Sequence, residues 1–171
     1  MPPSTYGTCK GERIMYYDFF ETGLIGTLTL AGDEDGLRYI QFEKEKNPII
    51  RDEWKKKPDF FAPVKEQLRG YFNLELKQFD IPLAPVGTPF QLKVWQALRS
   101  IPYGELVSYK TIAKAIGNLK AVRAVGGANG RNPIPIIVPC HRVIGSNGSL
   151  TGFGGGLQTK QRLIDLERSG L

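Results

Sequence analysis

Between residues 14 and 42 apolar and polar positions alternate in three short runs, Ile14 to Phe20, Leu24 to Leu30 and Leu37 to Phe42. The breaks are Glu21-Thr22-Gly23 and Asp33-Glu34-Asp35-Gly36, both rich in turn formers. A period of two with such punctuation predicts an antiparallel sheet. Past Pro58 the period lengthens: Phe61, Val64, Leu68 and Tyr71/Phe72 recur at helical spacing, which predicts a helix covering that sheet. The charged run Lys55-Lys56-Lys57 between them reads as a solvated loop.

Ala84-Pro85-Val86-Gly87 reads as a linker, dividing the chain into domains 1–85 and 86–171. Directly after it Thr88 is suited to an N-cap and Pro89 to the first helical position, and Phe90, Val94, Ala97 and Ile101 form one apolar stripe. Trp95 lies beside that stripe and reads as core. Ser108 can cap a short helix that turns Ile112, Ala113 and Ile116 inward and ends at Gly117-Asn118, with a second helix opening near Lys120. Two short helices across a glycine turn predict a helix-turn-helix. The second, Ala121-Val122-Arg123-Ala124-Val125-Gly126-Gly127-Ala128, has one long polar side chain among small residues. Such a surface suits close backbone approach along a narrow groove, with Arg123 able to probe a base stack; close packing inside the protein is the competing reading. Leu157 to Leu166 predict a closing helix. The overall class is α/β, with a small antiparallel sheet first and a mostly helical second part.

A chain of 171 residues with 41% hydrophobic composition can bury one good core or two small ones. Met1-Pro2-Pro3-Ser4-Thr5 lacks the basic and apolar regions of a signal peptide, and no apolar run is long enough to cross a bilayer, so the expectation is a cytoplasmic protein without membrane contact. Charge is unevenly placed: residues 1–85 hold 12 Lys/Arg against 14 Asp/Glu, residues 86–171 hold 11 against 3. A polyanion docking on the second half and a merely solvated basic surface both account for this.

The single histidine follows one of the two cysteines, in Ile136-Ile137-Val138-Pro139-Cys140-His141-Arg142-Val143. An ordinary thiol, with a pKa of about 8.5, is only a few per cent thiolate near neutrality, and imidazole is the usual group that raises the fraction. The pair therefore suggests a nucleophile, while a cysteine serving as apolar filler is the plainer alternative. Prolines 133, 135 and 139 forbid regular helix before Cys140 and place it on a stiff, largely apolar strut. Burial there raises the thiol pKa, so a reactive Cys140 needs a compensating partner. Neighbours on an extended chain point apart, which makes direct contact between Cys140 and His141 awkward and a bridging water the solution. Structural zinc requires four closely spaced ligands, which Cys9, Cys140 and His141 do not supply. A Cys9–Cys140 disulfide stays open. The glycines of Gly145-Ser146-Asn147-Gly148 and Gly152-Phe153-Gly154-Gly155-Gly156 lack the Lys-Ser/Thr ending of a phosphate loop.

Pro139-Cys140-His141-Arg142-Val143, with Asn132-Pro133 before it and Gly152 to Leu157 after it, resembles the O6-alkylguanine-DNA alkyltransferases. The likeness runs through Tyr103-Gly104-Glu105, Ser108-Tyr109, Arg123 to Ala128 and Glu167, nearly all of residues 88 to 168. The first half resembles the family in layout alone, a ribonuclease-H-like sheet with a covering helix, and the second half by a winged helix-turn-helix-like motif. The resemblance implies that an alkylated guanine is flipped out of duplex DNA and passes its O6-alkyl group once and irreversibly to Cys140. Activity on O4-methylthymine falls within the same chemistry. It further implies that Glu167 orients His141, that His141 draws the thiol proton through water, and that Tyr109 protonates N3 of the leaving base. Asn132 would brace the cysteine segment. Arg123 would fill the vacated stack, with Tyr109, Lys110, Asn118, Ala124, Gly127, Ala128 and Ser146 on DNA in the minor groove. The carbonyls of Cys140 and Val143, the Gly154 amide and the Phe153 ring would form the base pocket. Phe153 stands where some relatives carry tyrosine, so stacking is kept without a hydroxyl. No cofactor and no metal are implied, and the protein is expected to be monomeric off DNA.

Rival readings fare worse. A cysteine hydrolase needs a histidine brought from a remote part of the chain, and the sole histidine is the neighbour of Cys140. Alkyltransferase-like sensors replace the acceptor cysteine. A helix-turn-helix regulator stays open as an added role, with no effector domain evident in the sequence.

Overall fold

The computed structural model describes residues 13–171; Cys9, and with it the disulfide question, lies outside them. Three antiparallel strands form first: β1 (Tyr16–Glu21), β2 (Thr27–Asp33) and β3 (Gly36–Phe42). Register pairs Asp18 with Leu30 and Phe20 with Leu28 on one side of β2, and Leu30 with Ile40 and Leu28 with Phe42 on the other. These apolar positions share one face and are buried, whereas Phe19 and Glu21 point to solvent. The β2–β3 turn needs glycine at its end: Gly36 has φ +144° and a Cβ there would lie 2.6 Å from the Pro82 carbonyl.

The lysine run is not the expected loop. Lys55–Lys56 form a short strand, β4, parallel to β1, with the Lys55 amide donating to Met15 O (2.9 Å) and the Lys57 amide to Tyr17 O (3.0 Å). Charge patterning reports where side chains go, and these are exposed; the backbone pairs regardless. Helix α1 (Ala62–Phe72), preceded by a single turn at Pro58–Phe61, lays Val64, Leu68 and Tyr71 on the sheet. Lys65 on that helix pairs with the buried Asp18.

Helix α2 (Pro89–Leu98) starts at a full capping box: Thr88 Oγ1 accepts from the Gln91 amide while Gln91 Oε1 accepts from the Thr88 amide. Trp95 is core, 3% exposed, with Nε1 donating to Ala128 O at 2.9 Å. Helices α3 (Tyr109–Ala115) and α4 (Val122–Gly130) follow, Ser108 capping the first, and they pack on each other and on α2 as the helix-turn-helix expected. Two short parallel strands, β5 (Val107–Ser108) and β6 (Val143–Ile144), tie the start of α3 to the cysteine segment. Helix α5 (Leu157–Ser169) closes the chain.

The 84–87 connection is docked rather than free. The Ala84 amide donates to Leu37 O at 2.8 Å, and a Cβ on Gly87 would strike the Trp95 ring at 2.6 Å. Edge strand β3 is covered from both halves, its Leu37 amide bonded to Pro82 O and its Ile40 amide to Pro133 O, each at 2.9 Å. A single cluster of buried apolar side chains runs from Phe20 to Leu163 across both halves.

Candidate active site

The strut before Cys140 is irregular and apolar, with Ile134, Ile136 and Val138 buried. Ile136 has φ +75°, a conformation that costs a β-branched residue about 1–3 kcal/mol and persists only where the surroundings enforce it. Asn132 supplies part of that enforcement: Nδ2 donates to Val138 O (2.7 Å) and Oδ1 accepts from the Ile134 amide (3.0 Å).

At Cys140 the chain is not extended. Residues Cys140–Arg142 make one tight helical turn, which the prolines upstream do not forbid, so all three side chains are buried but aimed differently. Cys140, a free cysteine 4% exposed, lines a cavity of about 240 Å³. His141 and Arg142 meet Glu167 on the last turn of α5.

Glu167 is 1% exposed and surrounded by donors. Oε2 accepts from Tyr71 Oη (2.6 Å) and Arg142 Nη2 (3.0 Å) and lies 2.5 Å from His141 Nε2; Oε1 accepts from Arg142 Nε (2.8 Å) and the Gly104 amide (3.1 Å). Burial alone would raise the carboxyl, but hydrogen bonds and charge from His141 and Arg142 outweigh it and hold Glu167 well below the usual carboxylate range. An ionised carboxylate only accepts, so His141 Nε2 carries the proton. Burial lowers the imidazole pKa against the pull of Glu167, keeping the ring neutral. Its lone pair is then on Nδ1, a buried atom with no protein partner.

Burial pushes the Cys140 thiol up to about 11, opposed by a hydrogen bond from Asn132 and the charge of Lys160. They offset burial only in part, and the thiol holds its proton. Lys160 is absent from the sequence-based set. It is fully buried on α5, with Nζ donating to Val143 O (2.6 Å) and Thr151 O (3.1 Å). The signal was readable: Lys160, Leu163, Ile164 and Glu167 share one buried helix face, so a lysine occupies an otherwise inward stripe. Asn129, which donates to Cys140 O at 3.4 Å, and Tyr71 were missed as well, since their importance depends on tertiary contact.

The other expected residues divide. Phe153 and Gly154 line the cavity with Cys140 and Asn132. Val143 is buried, and its carbonyl already carries Lys160. Tyr109 places its hydroxyl 2.9 Å from Thr151 Oγ1 and its ring against Gly126 of α4. Lys110, Asn118, Arg123, Ala124, Gly127 and Ser146 are exposed. Ala128 is not: it is 3% exposed and faces Trp95, because the helical period turns it inward beside Val125, so it leaves the expected DNA-contacting set. Among the described residues no group of three His, Cys, Asp or Glu side chains is placed to hold a metal ion, and no helix is long and apolar enough to cross a membrane.

Residues 15–85 match the ribonuclease-like domain of 6-O-methylguanine DNA methyltransferase, and residues 89–169 match its DNA-binding domain. The methylated-DNA–protein-cysteine methyltransferase of Methanosarcina acetivorans is 57% identical over 156 residues, 91% of this chain and 99% of its own. The chain belongs to the methylated-DNA–protein-cysteine methyltransferase family. The relative of that name from Haemophilus influenzae is 47% identical, covering 90% of this chain and 87% of its own. Among solved members of the family, the Mycobacterium tuberculosis O6-methylguanine methyltransferase superposes with a TM-score of 0.86 at 47% identity, covering 92% of this chain and 95% of that one. Mycobacterium tuberculosis OGT in complex with DNA gives 0.82 at 47% identity, covering 91% and 93%.

Proposed function

We propose that this methyltransferase repairs DNA directly, moving the alkyl group of O6-alkylguanine onto Cys140 after the damaged nucleotide has been rotated out of the duplex. The observation that carries the reading is the buried His141–Glu167 pair one residue along the chain from Cys140, in which a neutral imidazole keeps its base nitrogen unpartnered while the thiol holds its proton. One water between Nδ1 and Sγ passes the thiol proton to His141, and Glu167 stabilises the imidazolium that results. The sulfur lone pair attacks the alkyl carbon, the carbon–O6 bond breaks, and its electron pair leaves with the base. An anionic guanine is a poor leaving group, so Tyr109 supplies a proton at N3 and regains one from solvent as His141 releases to solvent the proton it took. The net change exchanges the thiol hydrogen for the alkyl group and yields a thioether and guanine. A thioether offers no leaving group to water, so each molecule acts once.

Extruding a base costs a few kcal/mol, which contacts with the flipped base and the distorted duplex must offset. Arg123, exposed on the small-residue face of α4, takes the vacated place in the stack, and Ala124 and Gly127 allow the backbone close to the minor groove. Lys110, Asn118 and Ser146 hold the DNA backbone. Phe153 stacks on the base, the Gly154 amide donates to O6, and the Cys140 and Val143 carbonyls accept from the amino edge. The Val143 carbonyl keeps one lone pair beyond its bond to Lys160, whereas the Cys140 carbonyl already accepts from the Val143 amide and from Asn129, and takes the base in place of the long Asn129 bond.

The test is incubation with a duplex bearing one labelled O6-methylguanine, followed by mass analysis of the protein. One methyl per protein on Cys140, lost in Cys140→Ser, is expected. Turnover beyond one equivalent, or label elsewhere in the chain, overturns the proposal.

A further inference from the structure

The cavity beside Cys140 is not built by the second half of the chain alone. One wall is Tyr39 to Phe42 at the end of β3, together with Glu45, facing Pro135, Phe153 and Gly154. The two walls are in contact: the Phe42 ring lies 5.2 Å from that of Phe153, and a Cβ on Gly155 would strike the Phe42 ring at 2.8 Å. Glu45 is fixed in this wall. Its Oε2 accepts from the Phe42 amide at 2.7 Å, and its amide donates to Phe42 O at 3.1 Å. Its Oε1 reaches across to the opposite loop, so that a Cβ on Gly154 would be 3.1 Å away. A carboxylate is therefore held in the wall of the compartment that the acceptor thiol opens into. Its surroundings are dry enough to raise its own pKa, and its charge acts on Cys140 by pushing the thiol further up.

Resting on the alkyl-transfer reading above, we propose that Glu45 is a specificity-determining residue, selecting neutral or cationic alkyl groups and rejecting anionic ones. During transfer the alkyl carbon passes from O6 to Sγ, and any substituent on that carbon is directed sideways, into the space lined by Phe42, Glu45, Pro135 and Phe153. A methyl group does not reach the carboxylate. A carboxymethyl group places a second negative charge in the same half-buried space, whereas a hydroxyethyl group offers a donor that Oε1 can accept. Two like charges several ångströms apart at an effective dielectric near 20 repel enough to slow transfer by about tenfold or more.

The experiment compares single-turnover rates on three duplexes carrying O6-methylguanine, O6-(2-hydroxyethyl)guanine or O6-carboxymethylguanine, in the full chain and in Glu45→Gln. Glutamine still accepts from the Phe42 amide, so the wall keeps its shape while losing its charge. Because removing the charge also eases thiol deprotonation for every substrate, the quantity read is each rate divided by that protein's own methyl rate. The expected result is a hydroxyethyl-to-carboxymethyl ratio of about ten or more in the natural chain, falling severalfold in Glu45→Gln. Equal normalised rates in the natural chain, or a ratio the substitution leaves unchanged, would overturn Glu45 as the selector while leaving alkyl transfer intact. Failure on the methyl duplex as well would overturn the alkyl-transfer reading itself, and this inference with it.

Discussion

A thiol with its pKa pushed up to about 11 holds its proton throughout the neutral range, so Cys140 is reactive only where its proton has somewhere to go. Small electrophiles that bypass the guanine pocket should therefore meet a sluggish cysteine. Iodoacetamide alkylation of Cys140, scored by peptide mapping so that Cys9 is counted apart, is expected to rise about tenfold per pH unit from pH 7 to beyond pH 9. An ordinary thiol levels off above its pKa of about 8.5. A plateau near that value would contradict the buried, proton-bearing state. The same linkage acts on stability: a folded pKa above the unfolded one means the thiol's contribution is complete below the ordinary thiol pKa of about 8.5 and is lost as pH climbs toward 11. Local sequence made much of this legible. The prolines around Cys140 announce an apolar ledge, and the lone histidine beside it is the residue that meets Glu167. What local sequence withheld is the bend at Cys140–Arg142, because a single tight turn after proline leaves no periodic trace, and the Tyr71 hydroxyl on Glu167, which spans 96 positions.

Helix α4 is legible for a different reason: its small residues are conspicuous, and the structure leaves Arg123, Ala124 and Gly127 outside while Val125, Ala128 and Asn129 turn in. One face of the helix is packed, as the competing reading expects, and the other is bare. Ala128 shows the limit of carrying a whole run onto an interface, because a helix with a period of 3.6 residues cannot expose every position. If Arg123 occupies the gap left by a rotated nucleotide, its value is confined to duplex substrates. Arg123→Ala should slow transfer from O6-methylguanine in duplex DNA by at least about tenfold, the equivalent of roughly 1.4 kcal/mol of the few that extrusion costs. Reaction with free O6-benzylguanine, measured by loss of Cys140 labelling capacity, should change by less than about twofold. Equal losses on both would mean that Arg123 supports the pocket rather than the stack. Exposed on the first turn of α4, the residue can be truncated without opening the core.

The 84–87 boundary divides the sequence into two domains and leaves their interface undefined, and the active site draws on both halves of the chain. Tyr71 from the first half holds Glu167, the Ile40 amide of β3 bonds the Pro133 carbonyl within the cysteine strut, and Glu45 and Phe42 wall the cavity. Composition marked residues 84–87 as a boundary because proline and glycine punctuate it, but punctuation says nothing about docking, which depends on the Ala84 bond to Leu37 and the fit of Gly87 under Trp95. A shared core and shared polar contacts should make the halves unfold together. The chain supplies its own probes, since its two tryptophans are Trp54 in the first half and Trp95 in the second. Trp95 is buried against α4, while Trp54 stacks on Tyr39 of β3 with ring centroids 6.2 Å apart. Urea titrations of Trp54→Phe and Trp95→Phe, each followed by the fluorescence of the tryptophan that remains and by far-ultraviolet circular dichroism, should give coincident transitions with one midpoint per variant. A first-half transition separated from that of the second would mean that the pocket wall can detach while the cysteine segment stays folded. The first half would then be a cover over the site rather than part of its frame.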